Sequence, residues 1–131
     1  MKFLDTTFLI DHQHGDPEVQ SYLETHEEET FATSVLNLKE VAVGRFMTQT
    51  PSPSQQDIRD DFRWLRIEPF SLSHGLAAAE IEAHLRNEDR HHSSQTTDIL
   101  IGGVAKTLNA PVVTRNTQDF DLFPGVAVET Y

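Results

Sequence analysis

The alternation of short apolar segments with helical patterns is the feature that most restricts the fold of this chain. The sequence predicts strands at residues 2–4, 30–33, 66–70, 112–114 and 126–129. Between the strands, apolar side chains recur at helical spacing, as Ile101, Ala105 and Leu108 do. Strands that alternate with helices favour an α/β fold, in which helices cover both faces of a mostly parallel sheet. We therefore predict a three-layer sandwich.

Local signals place several helix ends and one loop. Asp16 is a suitable N-cap, Pro17 suits the first helical position, and Glu18 is favourable near the positive end of the helix dipole. Ser34 can cap a helix that runs to about residue 47, and the polar, proline-containing segment 48–56 predicts a loop. The length of 131 residues suits one domain, and we expect a single domain over residues 1–131.

Four acidic residues, far apart in the sequence, lie in otherwise apolar surroundings. A lone carboxylate buried there would cost several kcal/mol unless it is paired or bound to a cation. Sites in α/β folds form beyond the carboxyl ends of the strands. Two of the four acids, Glu40 and Asp98, are predicted on helices, each on a half-buried face beside a glycine. Converging carboxylates without basic partners favour Mg²⁺ or Mn²⁺, and hence metal-assisted phosphodiester hydrolysis. The four residues are Asp5, Glu40, Asp98 and Asp119.

Simpler roles compete at each of these positions. Asp5 could be a turn acid after a strand, and Asp98 could be an acid favoured at the start of a helix. The chemistry alone leaves Asp119 and Asp121 open as the fourth acid. Arg45 and Arg115 could bind an RNA phosphate or form surface salt bridges.

The histidines show no spacing typical of a zinc site. His12 and His14 are predicted in a polar turn, and His91 and His92 are adjacent in sequence, so we expect solvated surface histidines.

The composition is strongly acidic, with 21 acids against 10 bases and a net charge of −11. This charge opposes simple electrostatic capture of nucleic acid. Three explanations compete: the protein does not bind nucleic acid, it binds through a local arginine patch plus metal, or it comes from a saline cytoplasm. Because only three of the bases are lysines while acids are abundant, the saline, halophilic setting is favoured. The absence of cysteine excludes disulfides and favours a reducing cytoplasm. No apolar stretch approaches the roughly 20 residues that span a bilayer, so no membrane association is expected.

Four segments, in this order, resemble the PIN-domain family and, within it, the VapC-like toxins of toxin–antitoxin systems. Together they span nearly the whole chain and end in Thr-Arg-Asn-x-x-Asp-Phe. The segments are Phe-Leu-Asp5-Thr6-Thr7-Phe-Leu-Ile, Ser34-Val-Leu-Asn-Leu-Lys-Glu40-Val-Ala-Val-Gly44, Thr97-Asp98-Ile-Leu-Ile-Gly-Gly-Val-Ala105 and Val113-Thr114-Arg115-Asn116-Thr-Gln-Asp119-Phe120.

The resemblance implies a ribonuclease that depends on Mg²⁺ or Mn²⁺ and acts as a toxin. Asp5, Glu40 and Asp98 match the three most regular acids of the family. The fourth acid varies between the Asn116 and Asp119 positions. Thr6 or Thr7 and Asn116 would assist by hydrogen bonding to metal-bound water or phosphate. Arg115 is a further supporting residue for a different reason: it is close in sequence to a proposed ligand and could bind phosphate.

The resemblance also implies partners: an RNA substrate, a cognate antitoxin and a second copy in a homodimer. Gly102 and Gly103 depart from the family pattern, in which alanines are usual, and each glycine lowers helix propensity by roughly 1 kcal/mol.

Two other functions fit parts of the sequence. A phosphoacceptor receiver domain has a similar length and an acidic Mg²⁺ pocket, but it needs paired acids after the first strand, where Asp5 stands alone. A catalytically idle PIN domain that acts as a binding scaffold is the second alternative, and the complete set of acids argues against it.

Overall fold

A five-stranded parallel sheet forms the centre of the protein. The computed structural model describes all 131 residues. The sheet order is β3-β2-β1-β4-β5, and every neighbouring pair is parallel. The predicted α/β architecture is confirmed, although the third, fourth and fifth strands are shorter than predicted. The strands are β1 (Lys2–Leu4), β2 (Phe31–Ser34), β3 (Arg66–Glu68), β4 (Val112–Val113) and β5 (Val128–Glu129).

Six α-helices connect these strands, and their first residues follow the capping signals in the sequence. Asp16 accepts a hydrogen bond from the Glu18 backbone N–H (2.8 Å), and Ser34 accepts one from the Asn37 backbone N–H (3.3 Å). The helices are α1 (Thr6–Gln13), α2 (Pro17–Thr25), α3 (Val35–Thr48), α4 (Gln55–Asp61), α5 (Leu72–Asn87) and α6 (Thr96–Leu108). Two short 3₁₀ turns lie at Ser93–Gln95 and Thr117–Asp119.

The region around α4 differs in detail from the sequence prediction. Helix α4 begins at Gln55, inside the segment predicted as a loop, because Ser54 caps it through a reciprocal hydrogen bond with Asp57. The helix ends at Asp61, so Phe62 and Leu65 are not helical. Both are nevertheless buried, since the turn after α4 folds them under the sheet face. The apolar spacing therefore identified core residues correctly but extended the helix too far.

Helices cover both faces of the sheet and produce two separate hydrophobic clusters. Phe3 of β1 belongs to the cluster under α5 and α6, whereas the next residue, Leu4, belongs to the cluster under α1 and α3. This division follows from the alternation of side chains along a strand. The three-layer arrangement is confirmed. No helix in the structure is both long and apolar enough to span a membrane.

Gly103 allows α5 and α6 to pack closely, and Gly102 leaves room for Phe123. A Cβ atom at Gly103 would lie 2.6 Å from the backbone oxygen of His74 and 2.9 Å from Ala78. A Cβ at Gly102 would lie 2.9 Å from the ring of Phe123. Close packing thus offsets the low helix propensity of both residues.

Candidate metal centre

The pairing of β1 with β4 sets the position of the candidate site. Leu4 lies beside Val113 in the sheet, and the backbone N–H of Asp5 donates to the carbonyl of Val113 (3.2 Å). Both strands end here, so Asp5 and Thr114 are neighbours at the carboxyl edge of the sheet although 109 positions separate them. This edge is where α/β folds place their ligand sites.

Asp5 is almost completely buried, with 6% of its surface exposed. One carboxylate oxygen accepts a hydrogen bond from the Thr114 hydroxyl (2.9 Å), and the other accepts one from the Asn37 side-chain amide (3.3 Å). Asn37 is in turn held by Ser34, whose hydroxyl donates to the Asn37 side-chain oxygen (2.6 Å). These neutral donors orient the Asp5 carboxylate without cancelling its charge.

Helix α3 brings Glu40 toward the start of α1. The Thr6 hydroxyl donates to the Glu40 carboxylate (3.0 Å) and accepts from the Asn37 amide (3.1 Å). Asn37 therefore connects the environments of Asp5 and Glu40. The expectation that Glu40 lies on a half-buried face is wrong, because the side chain is exposed and borders an open cleft between α1 and α3.

Asp98 lies in the first turn of α6 and is half-buried. Burial, and after it the negative charges of Asp119, Asp5 and Glu40, together raise the pKa of Asp98 to about 6. Burial also raises the pKa of Asp5, against the lowering effect of hydrogen bonds from Thr6 and Thr114. The structure therefore brings the four predicted acids into one region, where they repel one another.

Asp119 and Asp121 have different surroundings. Asp119 is half-buried at the end of a 3₁₀ turn, and its charge acts on both Asp5 and Asp98. Asp121 is exposed, and its charge contributes to neither of those pKa shifts. Asn116 begins the same turn, and its backbone N–H donates to the Thr114 hydroxyl (3.0 Å). The geometry favours Asp119 over Asp121 as the fourth acid.

The donor chemistry of this cluster fits a hard divalent cation. All four side chains offer carboxylate oxygens, and no lysine or arginine forms an ion pair with any of them. No three acidic or histidine side chains converge closely enough to ligate one ion directly in this arrangement. Mg²⁺ usually retains several water ligands and binds one or two carboxylates, so a partly water-mediated site suits this cluster.

The two arginines singled out in the sequence are engaged in ion pairs. Arg115 pairs with Asp11, Asp16 and Glu18 at distances of 2.8–3.1 Å, and its guanidinium lies 4.6 Å from the centre of the Tyr131 ring. None of its partners is a candidate metal ligand, and phosphate binding by Arg115 stays a prediction.

Arg45 pairs with Asp61 (2.6 Å) and lines the open cleft between α1 and α3.

His12 departs from its prediction as a residue of a polar turn. It lies in α1, and its ring packs 4.7 Å from the ring of Trp64. Its Nδ1 atom is buried without a hydrogen-bond partner, and burial lowers the pKa of the imidazole. The reason is that α1 continues one turn further than the polar sequence suggested.

The sequence interpretation missed Asn37 and Thr114. Both side chains contact Asp5, but neither is acidic, and their roles depend on contacts across the fold. The available signals were modest: Asn37 lies three positions before Glu40, and Thr114 ends a predicted strand.

The protein-family model of the PIN domain matches residues 2–125. The chain belongs to the PIN-domain family. This membership is incompatible with the receiver-domain alternative. No curated protein sequence matches the chain at a significant level.

Solved structures of VapBC and toxin–antitoxin complexes share the fold. A chain of DNA-bound VapBC from Salmonella typhimurium has a TM-score of 0.83 and 20% identity, with 99% of this chain and 98% of that chain covered. A chain of VapBC2 from Rickettsia felis, bound to a promoter DNA fragment, has a TM-score of 0.80 and 21% identity, with coverage of 99% and 98%. A chain of a toxin–antitoxin complex from Klebsiella pneumoniae has a TM-score of 0.70 and 28% identity, with 97% of this chain and 96% of that chain covered.

Replacement of Asp98 by asparagine should stabilise the metal-free PIN domain at neutral pH more than at acidic pH. The pKa of Asp98 in the folded protein is about 6, above the ordinary value of 3.8. Because protonated Asp98 is favoured by folding, its full contribution to the free energy of unfolding is present below pH 3.8. This contribution is lost as the pH rises through about 6 and the folded protein is forced to hold a charged carboxylate. Asparagine does not ionise and avoids this loss. Thermal unfolding in EDTA at about pH 4.5 and about pH 7.5 measures the difference.

Asp121→Asn is the matched control, because it removes the same charge from an exposed position two residues after Asp119. An equal gain in melting temperature for Asp98→Asn at both pH values would contradict the electrostatic account of the cluster.

Proposed function

We propose that this PIN domain is a metal-dependent endoribonuclease and the toxin of a toxin–antitoxin pair. The observation that carries the proposal is the cluster of four mutually repelling carboxylates at the carboxyl edge of the sheet. Such a cluster destabilises the fold unless it binds something cationic, so its presence favours a function at that place. The likeness to solved VapBC and toxin–antitoxin complexes supports the toxin assignment.

Asp5, Glu40, Asp98 and Asp119 would hold Mg²⁺ or Mn²⁺, directly or through water. A bound ion of this type lowers the pKa of a water molecule and offsets the negative charge that develops on a phosphate during hydrolysis. The chain itself supplies orientation.

Neutral side chains provide that orientation. Asn37 and Thr114 fix the buried Asp5 carboxylate, and Thr6 fixes Glu40. The backbone N–H of Asn116 donates to the Thr114 hydroxyl, which keeps Asn116 beside the cluster, and its side-chain amide would assist by hydrogen bonding to metal-bound water or phosphate. Because these donors are neutral, they position the carboxylates without occupying the place of a cation.

The strongly acidic chain makes the metal essential for RNA binding as well as for chemistry. With a net charge of −11, the protein repels a phosphate backbone over most of its surface. A divalent cation at the cluster reverses the local field where the scissile phosphate must lie. We assign the reaction to the cytoplasm, which suits a chain without cysteine.

The catalytically idle scaffold gains no support from a specific observation. A binding scaffold does not require four acids in one electrostatic cluster, and their mutual repulsion would only destabilise the folded protein.

Asp5→Asn should abolish RNA cleavage while the protein stays folded. The substitution removes a candidate ligand, and it also removes one of the charges that repel Asp98. The measurement is cleavage of RNA by the purified protein with Mg²⁺ or Mn²⁺ and with EDTA, together with a circular dichroism spectrum. Asp121→Asn should cleave at the wild-type rate. Cleavage in EDTA, or full activity of Asp5→Asn in Mg²⁺, would refute the metal-dependent site.

A cognate antitoxin should inhibit the enzyme by placing a basic side chain in the acidic cluster. A guanidinium can pair with two carboxylate oxygens at once and exclude both metal and phosphate. We expect the toxin in this complex to be a homodimer. Co-expression with the neighbouring small gene, followed by a cleavage assay of the purified complex, measures the inhibition. Equal cleavage by the complex and by the free chain would refute it.

A further inference from the structure

An open cleft of about 560 Å³ adjoins the acidic cluster and begins at Glu40. Helix α3 forms one wall through residues from three successive turns, and the second half of α1 forms the other. The α3 wall from Glu40 to Gln49 is about 13 Å long at the α-helical rise. Only two of the 11 lining residues are hydrophobic, so the surface is polar. The volume lies within the range of roughly 300–1,000 Å³ that is typical of pockets for small ligands.

Gly44 opens the floor of this cleft. It lies inside α3, is exposed, and a Cβ atom built on it would meet nothing within 4 Å. Helical glycine is less stable than alanine, and no close packing explains the glycine here, unlike the situation at Gly102 and Gly103. Since packing does not require a glycine at this position, the effect of Gly44 is on the cleft, where the absence of a side chain leaves space.

Arg45 presents a pre-oriented guanidinium in the same cleft. Its side chain is 14% exposed. It donates to Asp61 (2.6 Å) and through Nε to Gln49 (3.2 Å). A guanidinium has five N–H donors in a fixed planar arrangement, so donors remain available for an anion. Because Asp61 and Gln49 already hold the side chain, an anion would bind it with little further loss of side-chain freedom.

The α1 wall offers groups that can recognise a base. His12 is held by packing against Trp64, and burial lowers the pKa of its imidazole. Gln13 adds an amide, which can both donate and accept hydrogen bonds. Bases in single-stranded RNA are commonly recognised by hydrogen bonds to their edges and by stacking on rings.

We propose that this cleft binds the nucleotide next to the scissile phosphate of a single-stranded RNA substrate. Arg45 contacts the phosphate of that nucleotide, and the side chains of α1 contact its base. This inference rests on the proposed ribonuclease function and adds a binding subsite to it. The polar lining favours a nucleotide over the apolar face of a partner helix.

Substitutions at Gly44 separate a binding role from a structural one. Gly44→Ala should leave the melting temperature unchanged or higher, since it improves helix propensity in open space. It should nevertheless raise the KM for RNA cleavage severalfold, and Gly44→Leu should raise it more. Gly75→Ala is the matched control in α5, where an added Cβ makes only an ordinary contact with Phe70 at 3.7 Å. It should change neither KM nor kcat.

Arg45→Ala tests the phosphate contact, and Arg63→Ala is its control. Arg63 also pairs with an acid of α4 but lies outside the cleft. The probe is a short, fluorescein-labelled, single-stranded RNA of mixed sequence. Its binding is followed by stopped-flow fluorescence anisotropy in Mg²⁺ before appreciable cleavage, with Asp5 intact in every variant so that the acidic cluster keeps its cation. Loss of a charged hydrogen bond should weaken binding about tenfold or more in Arg45→Ala, whereas Arg63→Ala should bind as the parent does.

The outcomes distinguish failure of the proposed ribonuclease function from failure of the proposed nucleotide subsite. Absence of cleavage by the wild-type chain contradicts the proposed function, and the anisotropy series still decides whether the cleft binds RNA. Unchanged KM and unchanged RNA binding in the Gly44 and Arg45 variants overturn the subsite. Unchanged RNA binding combined with weaker inhibition by the antitoxin would assign the cleft to that partner instead, and would also overturn the proposal.

Discussion

Burial of the Asp5 carboxylate at the junction of β1 and β4 is the constraint on which the rest of the site depends. Parallel pairing of the two strands places Thr114 against Asp5, and the capping segment of α3 adds Asn37. These neutral donors keep the carboxylate in place but leave its charge uncompensated. Every acid that the fold brings nearby then raises the free energy of the metal-free protein, as the shifted pKa of Asp98 indicates.

The sequence predicted the fold well where a local physical signal exists. Capping by Asp16 and Ser34 and the alternation of strands and helices were sufficient to predict the layers. Contacts between residues on different strands could not be predicted in this way. The contact between Thr114 and Asp5 depends on the strand order β2-β1-β4, which no local pattern encodes. The exposure of Glu40 likewise depends on how far α1 and α3 separate beyond the sheet, which periodicity along one helix does not determine.

Glycines in this protein have two opposite uses. Gly103 lets α5 and α6 approach to a distance that an added Cβ would prevent, and Gly102 leaves room for the ring of Phe123, so both contribute to the core. Gly44 faces open space in a helix that alanine would stabilise. From the sequence alone, all three glycines are expected to lower helix stability equally. The surrounding atoms distinguish the packing requirement at Gly102 and Gly103 from the open position of Gly44 on the cleft.

The most direct test of the central claim is the location of bound Mn²⁺ in crystals, by anomalous diffraction. The account predicts one or two manganese peaks among Asp5, Glu40, Asp98 and Asp119, with at least one of these carboxylates in the coordination sphere directly or through a water molecule. It also predicts that the peaks disappear in Asp98→Asn or Asp5→Asn crystals and persist in Asp121→Asn crystals. Manganese absent from this cluster in the wild type, or bound equally well in all three variants, would contradict the account.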